Sequence, residues 1–133
     1  MVEMELYRIR LDENQGGQLV VLREKGGTRL LHIVIGIFEA DSIRLKIAGF
    51  DPPRPMTHDL LKGAIEALGA RLERVVVDRL DGGTFYGKLV LRDKDGEEVL
   101  VDTRPSDGMA LAVRADVPLF VAEEVLEEAG VNP

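Results

Sequence analysis

Short apolar runs near the start of the chain predict three β-strands. Residues 1–11 alternate between apolar and polar positions, and the phase slips near Tyr7, which indicates a bulge or a local twist. Continuous apolar runs at 19–22 and 30–35 predict two further buried strands, and a turn at 14–17 and a glycine pair separate the three. Short turns between successive strands favour an antiparallel arrangement.

Helical spacing then replaces the alternation in two segments. Residues 38–48 carry an apolar stripe, and Gly49 with the prolines that follow predicts the end of this helix. Thr57 is the expected N-cap of a second helix that runs to about Leu68. The apolar face of the second helix consists of Leu60, Leu61, Ala64, Ile65 and Leu68.

The second half of the chain predicts three more strands, a buried helix, a short strand and an acidic helix. The strands fall at 71–79, 84–92 and 97–101, and glycine-containing hairpin turns connect them. Pro105 fixes a helix start, and 109–113 is apolar all round, as in a buried helix. A short strand follows within 116–121, and the last helix is predicted at 123–129.

The order βββ-αα-βββ-α-β-α predicts one α+β domain over residues 1–133 with a mixed, largely antiparallel sheet. Periodicity leaves open whether the two groups of three strands form one sheet or two. The 133 residues are 45% hydrophobic and 31% charged, which is typical of a globular protein, and no apolar stretch is long enough to span a membrane.

Sequence and composition limit the cellular compartments and the kinds of chemical site that we expect. The N-terminal stretch does not read as a signal peptide, so we expect a cytoplasmic protein with no membrane partner. Cysteine is absent, which excludes disulfides, thiolate catalysis and cysteine zinc sites. The preference for Arg over Lys, with few Asn and Gln, suggests a thermophilic source.

A net charge of −7 means that nucleic-acid binding would require the basic groups to share one face or metal ions to assist. Acidity is also common among cytoplasmic proteins.

Polar side chains gather where the sixth predicted strand meets the buried helix. Asp102, Thr103, Arg104, Ser106 and Asp107 follow one another at this junction. Carboxylates and hydroxyls in the first helical turn satisfy free N–H groups and complement the helix dipole. Such a junction serves either as a structural staple or as a functional site, and the sequence leaves both open.

Three motifs in order resemble one known family. They are RPMTHDLL from Arg54, DGGTFY from Asp81 and DTRPSD from Asp102, and the resemblance to the bifunctional nuclease domain family extends from about residue 4 to residue 130. The chain departs from the family pattern at His32, Gly87 and Gly108-Met109, which we interpret as packing variations. The resemblance implies nuclease activity toward DNA and RNA, and thus a nucleic-acid partner, without fixing a catalytic mechanism.

Phosphodiester hydrolysis needs an activated water and neutralisation of charge on the phosphate. With no cysteine and only two histidines, we expect carboxylates that hold Mg²⁺ or Mn²⁺. The candidate metal ligands are Asp59, Asp102 and Asp107, with Glu39 as a further possibility. The candidate catalytic residues are His58, Asp59 and Asp107, with His58 as general base. The candidate substrate-binding residues are Arg54, Arg104 and Ser106.

A structural interpretation of the same residues stands beside the catalytic one. Arg54 and Arg104 would then pair with Asp59 and Asp107 to fix two helix starts, and His58-Asp59 would only cap a helix. His32, inside an apolar strand, reads as a core or interface histidine. The alternative function is a non-catalytic regulatory module that binds a ligand or partner and forms a homo-oligomer, with a dimer as the first expectation.

Overall fold

The computed structural model describes residues 1–11, 14 and 16–133, and its elements follow the predicted order. The predicted turn at 14–17 includes residue 15, which lies outside the described residues. The strands are β1 (Val2–Leu11), β2 (Gln18–Glu24), β3 (Leu30–Ile35), β4 (Arg71–Asp81), β5 (Thr84–Arg92), β6 (Glu98–Thr103) and β7 (Leu119–Val121). The helices are α1 (Ile37–Ile47), α2 (Thr57–Ala67), α3 (Pro105–Ala115) and α4 (Glu123–Ala129).

All seven of these strands belong to one sheet, in the order β3-β2-β1-β7-β4-β5-β6. Neighbouring strands are antiparallel except β4 and β7, which are parallel. The single parallel pair arises because α3 returns the chain across the sheet before β7 begins. The predicted α+β class with a mixed, largely antiparallel sheet is therefore confirmed, and the question of one sheet or two is resolved in favour of one.

Two local predictions are also confirmed: the bulge near Tyr7, from the slip in the apolar–polar alternation, and a glycine-containing hairpin turn. The register between β1 and β2 shifts between Leu6 and Arg8, so Tyr7 occupies a bulge, and the Arg8 and Arg23 guanidinium groups each lie 4.6 Å from its ring centre. Gly82 and Gly83 form a two-residue loop between β4 and β5, and both have positive φ. Such a loop matches the twist of the strands that it connects.

Several boundaries differ from the sequence prediction, among them those of α2, β6 and β7. Thr57 is not the N-cap of α2, because Met56 holds that position and its backbone N–H donates to Asp59 Oδ2 at 3.0 Å. Strand β6 continues to Thr103, because residues 98–103 stay paired with β5, so Asp102 belongs to the strand. Within 116–121 only Leu119–Val121 is strand, because Asp116 ends α3 in the left-handed conformation.

The core lies between the helices and one face of the sheet, and α3 is its central helix. Residues 108–112 of α3 are buried, and Val113, the last residue of the predicted apolar run 109–113, is half-buried. Helix α3 packs against α1, α2, β4 and β5, so its N-terminus is rigidly placed beside the end of β6.

Helix α2 contributes much less to this core than its sequence suggests. Only Ile65 of its predicted apolar face packs against the core, partly buried, whereas Leu60, Leu61, Ala64 and Leu68 are exposed. The buried side chain of α2 is the polar one, His58.

Truncating the centre of the core tests this packing. Leu111→Ala removes a fully buried side chain of α3 and should lower the free energy of unfolding by about 2–5 kcal/mol. Urea denaturation measures the change. Leu100→Ala, at an exposed position of β6, is the control and should change it by less than about 0.5 kcal/mol. Equal effects of the two substitutions would contradict this description of the core.

Candidate functional site

A line of hydrogen-bonded side chains joins three helices. Ser42 of α1 lies with its Oγ 2.7 Å from His58 Nδ1, and His58 Nε2 of α2 lies 2.9 Å from Asp107 Oδ1 of α3. Ser42 and His58 are buried, and Asp107 is half-buried in the first turn of its helix. The histidine ring is thus fixed at both nitrogens.

The hydrogen-bonding partners assign the tautomer of His58. An ionised carboxylate only accepts, so the proton lies on Nε2, which donates to Asp107. Nδ1 then accepts from the Ser42 hydroxyl. With both nitrogens engaged and the ring buried, His58 is placed to orient Asp107 rather than to contact a bound molecule directly.

Arg104, the N-cap residue of α3, extends the line to the surface. Its Nε donates to Asp107 Oδ2 at 2.8 Å, and its Nη2 lies 3.3 Å from Glu39 Oε1 on α1. The hydrogen bond that Arg104 donates to Asp107, then the negative charge of Asp107, raises the pKa of Arg104 above its usual value, so the guanidinium stays charged. Most of the Arg104 side chain nevertheless faces solvent, with 67% of its area exposed.

A groove of about 650 Å³ opens beside this guanidinium. Its lining includes His32 and Gly36 on one side, Thr84 and Phe85 from the β4–β5 hairpin, and Arg104 and Ser106. Gly36 is the N-cap of α1 and Arg104 that of α3, so two helix N-termini border the groove. Helix N-termini carry unsatisfied N–H groups and partial positive charge, and the first turns of these two helices hold the carboxylates Glu39 and Asp107.

His32 lies on β3 at the opposite wall of the groove. It is half-buried, and burial, then the nearby charges of Arg10 and Arg8, lowers its pKa. The neutral form is therefore favoured near pH 7. His32 is therefore a half-buried residue of the groove wall and not a core residue, and its role at an interface stays a prediction.

A second polar cluster ties the same helices together at a different point. Arg114 Nε donates to Asp59 Oδ1 at 2.8 Å, and its terminal nitrogens donate to the backbone oxygens of Ala110 and Ser42. The Arg114 side chain is almost fully buried, so this pair is a structural staple between α1, α2 and α3.

The structure thus separates the predicted site residues. His58, Arg104 and Asp107 meet, and Ser106 lies beside them, buried at the wall of the groove. The expected pair of Arg54 with Asp59 is wrong, because Asp59 is held by Arg114, and the exposed Arg54 forms no ion pair within residues 1–11, 14 and 16–133.

The three predicted metal ligands Asp59, Asp102 and Asp107 do not share a site, whereas Glu39, the further possibility, lies near Asp107 because both contact Arg104 Nη2. Asp59 is engaged by Arg114, Asp107 by His58 and Arg104, and Asp102 is 80% exposed, 3.8 Å from Lys88 Nζ. Among the described residues, no group of three or more His, Asp or Glu is arranged to hold a metal ion. These donors therefore do not fit one divalent cation, and no step below is assigned to a metal.

Sequence reasoning missed Ser42 and Arg114. Each lies in a helical segment that has a buried apolar face: Ser42 directly precedes Ile43 of the apolar stripe of α1, and Arg114 follows the buried run of α3. A polar residue in such a segment needs a buried partner, and that requirement is the one signal the sequence carried for them. The partners themselves lie 16 and 55 residues away along the chain.

The Asp59–Arg114 staple predicts a pH-dependent stability. Burial opposes ionisation of Asp59, but the Met56 N–H and Arg114 outweigh it and hold its pKa below the usual value. A carboxyl with a lowered folded-state pKa stabilises the protein above its unfolded-state pKa of about 3.9, and loses that contribution as the pH falls through the folded-state value. Asp59→Asn should therefore lower the free energy of unfolding by about 1–3 kcal/mol at pH 7.

Urea denaturation of both proteins from pH 7 to pH 2.5 measures this difference, which should shrink as Asp59 of the wild type becomes protonated. Asp41→Asn, at an exposed surface pair, is the control and should show little difference at any pH. A constant difference for Asp59→Asn across this range would show that the charge of Asp59 does not contribute.

Comparison with known proteins places this site in a family. An uncharacterized protein of Mycobacterium tuberculosis is 42% identical over 131 residues, which cover 98% of this chain and 77% of that protein. Bifunctional nuclease 1 of Oryza sativa subsp. japonica is 28% identical over 93% of this chain, and bifunctional nuclease 2 of Arabidopsis thaliana is 29% identical over 89% of it. The chain spans only about two fifths of the length of these plant proteins.

A family model adds the most direct match. The bifunctional nuclease domain model matches residues 20–133, which include most of β2, all elements from β3 to α4, every residue of the line from Glu39 to Asp107 and the groove beside it. The expectation drawn from the three sequence motifs is thereby confirmed, and this chain belongs to the bifunctional nuclease domain family.

Proposed function

We propose that this chain hydrolyses phosphodiester bonds of DNA and RNA in the groove beside Arg104. The observation that carries the proposal is the line of side chains from Ser42 through His58 to Asp107 and Arg104, which begins in the core and ends at the groove. Membership of a nuclease family supports the reaction class, and the names of the plant relatives, which are bifunctional nucleases, support a nucleic-acid substrate.

Arg104 is the proposed phosphate-binding residue. Its Nε and Nη2 are directed to carboxylates, whereas Nη1 forms no ion pair or hydrogen bond in the part of the chain that the structure describes. That nitrogen carries two N–H donors suited to non-bridging phosphate oxygens. The adjacent N-terminus of α3 adds partial positive charge to the same rim.

Asp107 is the proposed general base. Its carboxylate is oriented by His58 at one oxygen and by Arg104 at the other, so it is fixed next to the phosphate-binding group. A water held by this carboxylate attacks phosphorus, its proton passes to Asp107, and the bond from phosphorus to the leaving oxygen breaks. The leaving oxygen takes a proton from solvent, and Arg104 neutralises the charge that develops on the phosphate.

Ser42, His58 and Glu39 are positioning residues in this proposal. Ser42 and His58 fix Asp107 from the core, and Glu39 holds the guanidinium of Arg104 from α1. Phe85, which lines the groove while packing partly against the core, offers a face on which a base can stack.

Two substitutions at the groove test the proposal. Asp107→Asn removes the base and should lower cleavage of single-stranded RNA and DNA by about 10²-fold or more. Arg104→Gln removes the cation and should lower it by a similar factor. Arg71→Gln is the matched control, because Arg71 is equally exposed, pairs with a carboxylate and lies outside the lining of the groove. Fluorescently labelled oligonucleotides resolved on denaturing gels measure the rates, and thermal melting checks that each variant is folded.

Several outcomes would contradict it. Equal cleavage by the wild type and both groove variants would indicate a contaminating nuclease. A large loss of stability in Asp107→Asn with unchanged cleavage would assign Asp107 to a structural staple. No cleavage by the wild type would favour the alternative, a non-catalytic binding module.

The expected dependence on Mg²⁺ or Mn²⁺ remains a prediction. The candidate ligands Asp59, Asp102 and Asp107 are apart, so a reaction that uses only the groove residues should persist in EDTA. Cleavage measured in EDTA, in Mg²⁺ and in Mn²⁺ distinguishes a metal-dependent reaction from one that uses only the groove residues. Loss of cleavage in EDTA that Mg²⁺ or Mn²⁺ restores would show that a metal takes part.

A further inference from the structure

We propose that the outward face of α2 is the contact surface for a second copy of this chain. This surface, the α2 face, consists of Met56, Leu60, Gly63, Ala64, Ala67 and Leu68, all of them exposed. Their spacing places them on one side of a helix, opposite the side that carries His58 and Ile65 toward the core. The inference is independent of the proposed nuclease activity.

The α2 face has the size and the chemistry of an interface. Leu60 and Leu68 keep 64% and 81% of their surface exposed, and Phe50 lies beside Met56 at the end of the helix. None of the six residues is charged, and the Lys62–Glu66 ion pair lies on another side of the helix. The apolar patch reaches roughly 400–600 Å², which is the range of functional patches on monomers.

Gly63 gives a second, independent reason. Glycine in the interior of an exposed helix costs about 1 kcal/mol relative to alanine. Within the described residues nothing lies within 4 Å of the position where a Cβ atom would stand, so contacts inside this chain do not require glycine there. Close approach of another backbone outside the chain would require it.

The arrangement of the α2 face selects a second copy as its partner. Leu60 and Leu68 lie four residues before and four residues after Ala64. On the α2 face, the residues between the two leucines are the small ones, Gly63, Ala64 and Ala67. Two antiparallel α2 helices related by a two-fold axis at Ala64 would therefore place Leu60 against the partner's Leu68 at both ends. Their small residues would meet at the crossing. A two-fold interface requires such self-complementarity.

Another exposed apolar element, strand β6, fits a second copy less well. Strand β6 is an edge strand with Val99, Leu100 and Val101 exposed. Antiparallel pairing of two β6 strands about Leu100 would place Glu98 opposite Asp102 of the partner. Like charges opposite each other destabilise a strand pair.

Sedimentation and cross-linking test the proposal. The wild type should sediment at twice the 14.7 kDa chain mass at micromolar concentration, and Leu60→Glu should sediment as a folded monomer, with its fold checked by circular dichroism. Leu100→Glu, on β6, is the control and should stay dimeric. A monomeric wild type, a dimeric Leu60→Glu or a monomeric Leu100→Glu would each overturn the proposal.

The absence of cysteine allows a second test that does not depend on a disruptive variant. Ala64→Cys places a single thiol at the proposed axis and should form a disulfide-linked dimer under mild oxidation. Glu66→Cys, on the opposite side of α2, should not. Failure of Ala64→Cys to cross-link, or equal cross-linking of both variants, would overturn the proposed axis.

Discussion

The hydrogen bonds of His58 are the constraint on which the site depends. One ring fixes α1 through Ser42 and α3 through Asp107, while its own helix, α2, has few apolar contacts with the core. A buried imidazole is tolerated because both nitrogens are satisfied, and it would be costly with either partner missing. The same ring thus anchors α2 and orients the carboxylate that bonds to Arg104 at the groove.

The distribution of charge explains how an acidic chain can present a cation to a substrate. Arg29 is bonded to Glu24 and Glu123, Arg92 to Glu73, and Arg114 to Asp59, so these arginines connect elements of the fold. Arg104 differs, because it forms ion pairs with Asp107 and Glu39 while most of its side chain remains exposed to solvent. Its two carboxylate partners also lower the positive potential that a phosphate would meet, which favours a local contact over long-range attraction.

The inward and outward sides of helix α2 differ in character. Its N-terminal turn and inward side supply His58 and Asp59, which bond to α1 and α3. Its outward side is apolar and exposed. If that side is covered by a second copy, the partner adds the burial that the fold itself does not give α2, and dimerisation stabilises the helix that carries the histidine.

The sequence by itself determined the element order, the bulge at Tyr7, the glycine hairpin and the buried character of α3, because each follows from local periodicity or backbone freedom. Its motifs, shared with a known family, also indicated His58, Arg104 and Asp107 as residues of one candidate site. Only the tertiary structure decided the pairings. Asp59 pairs with Arg114 instead of Arg54, Ser42 joins the site, and the candidate metal ligands stand apart. The outward direction of the apolar stripe on α2 was decided there too, because a helical pattern shows that one face is apolar but not which neighbour covers it.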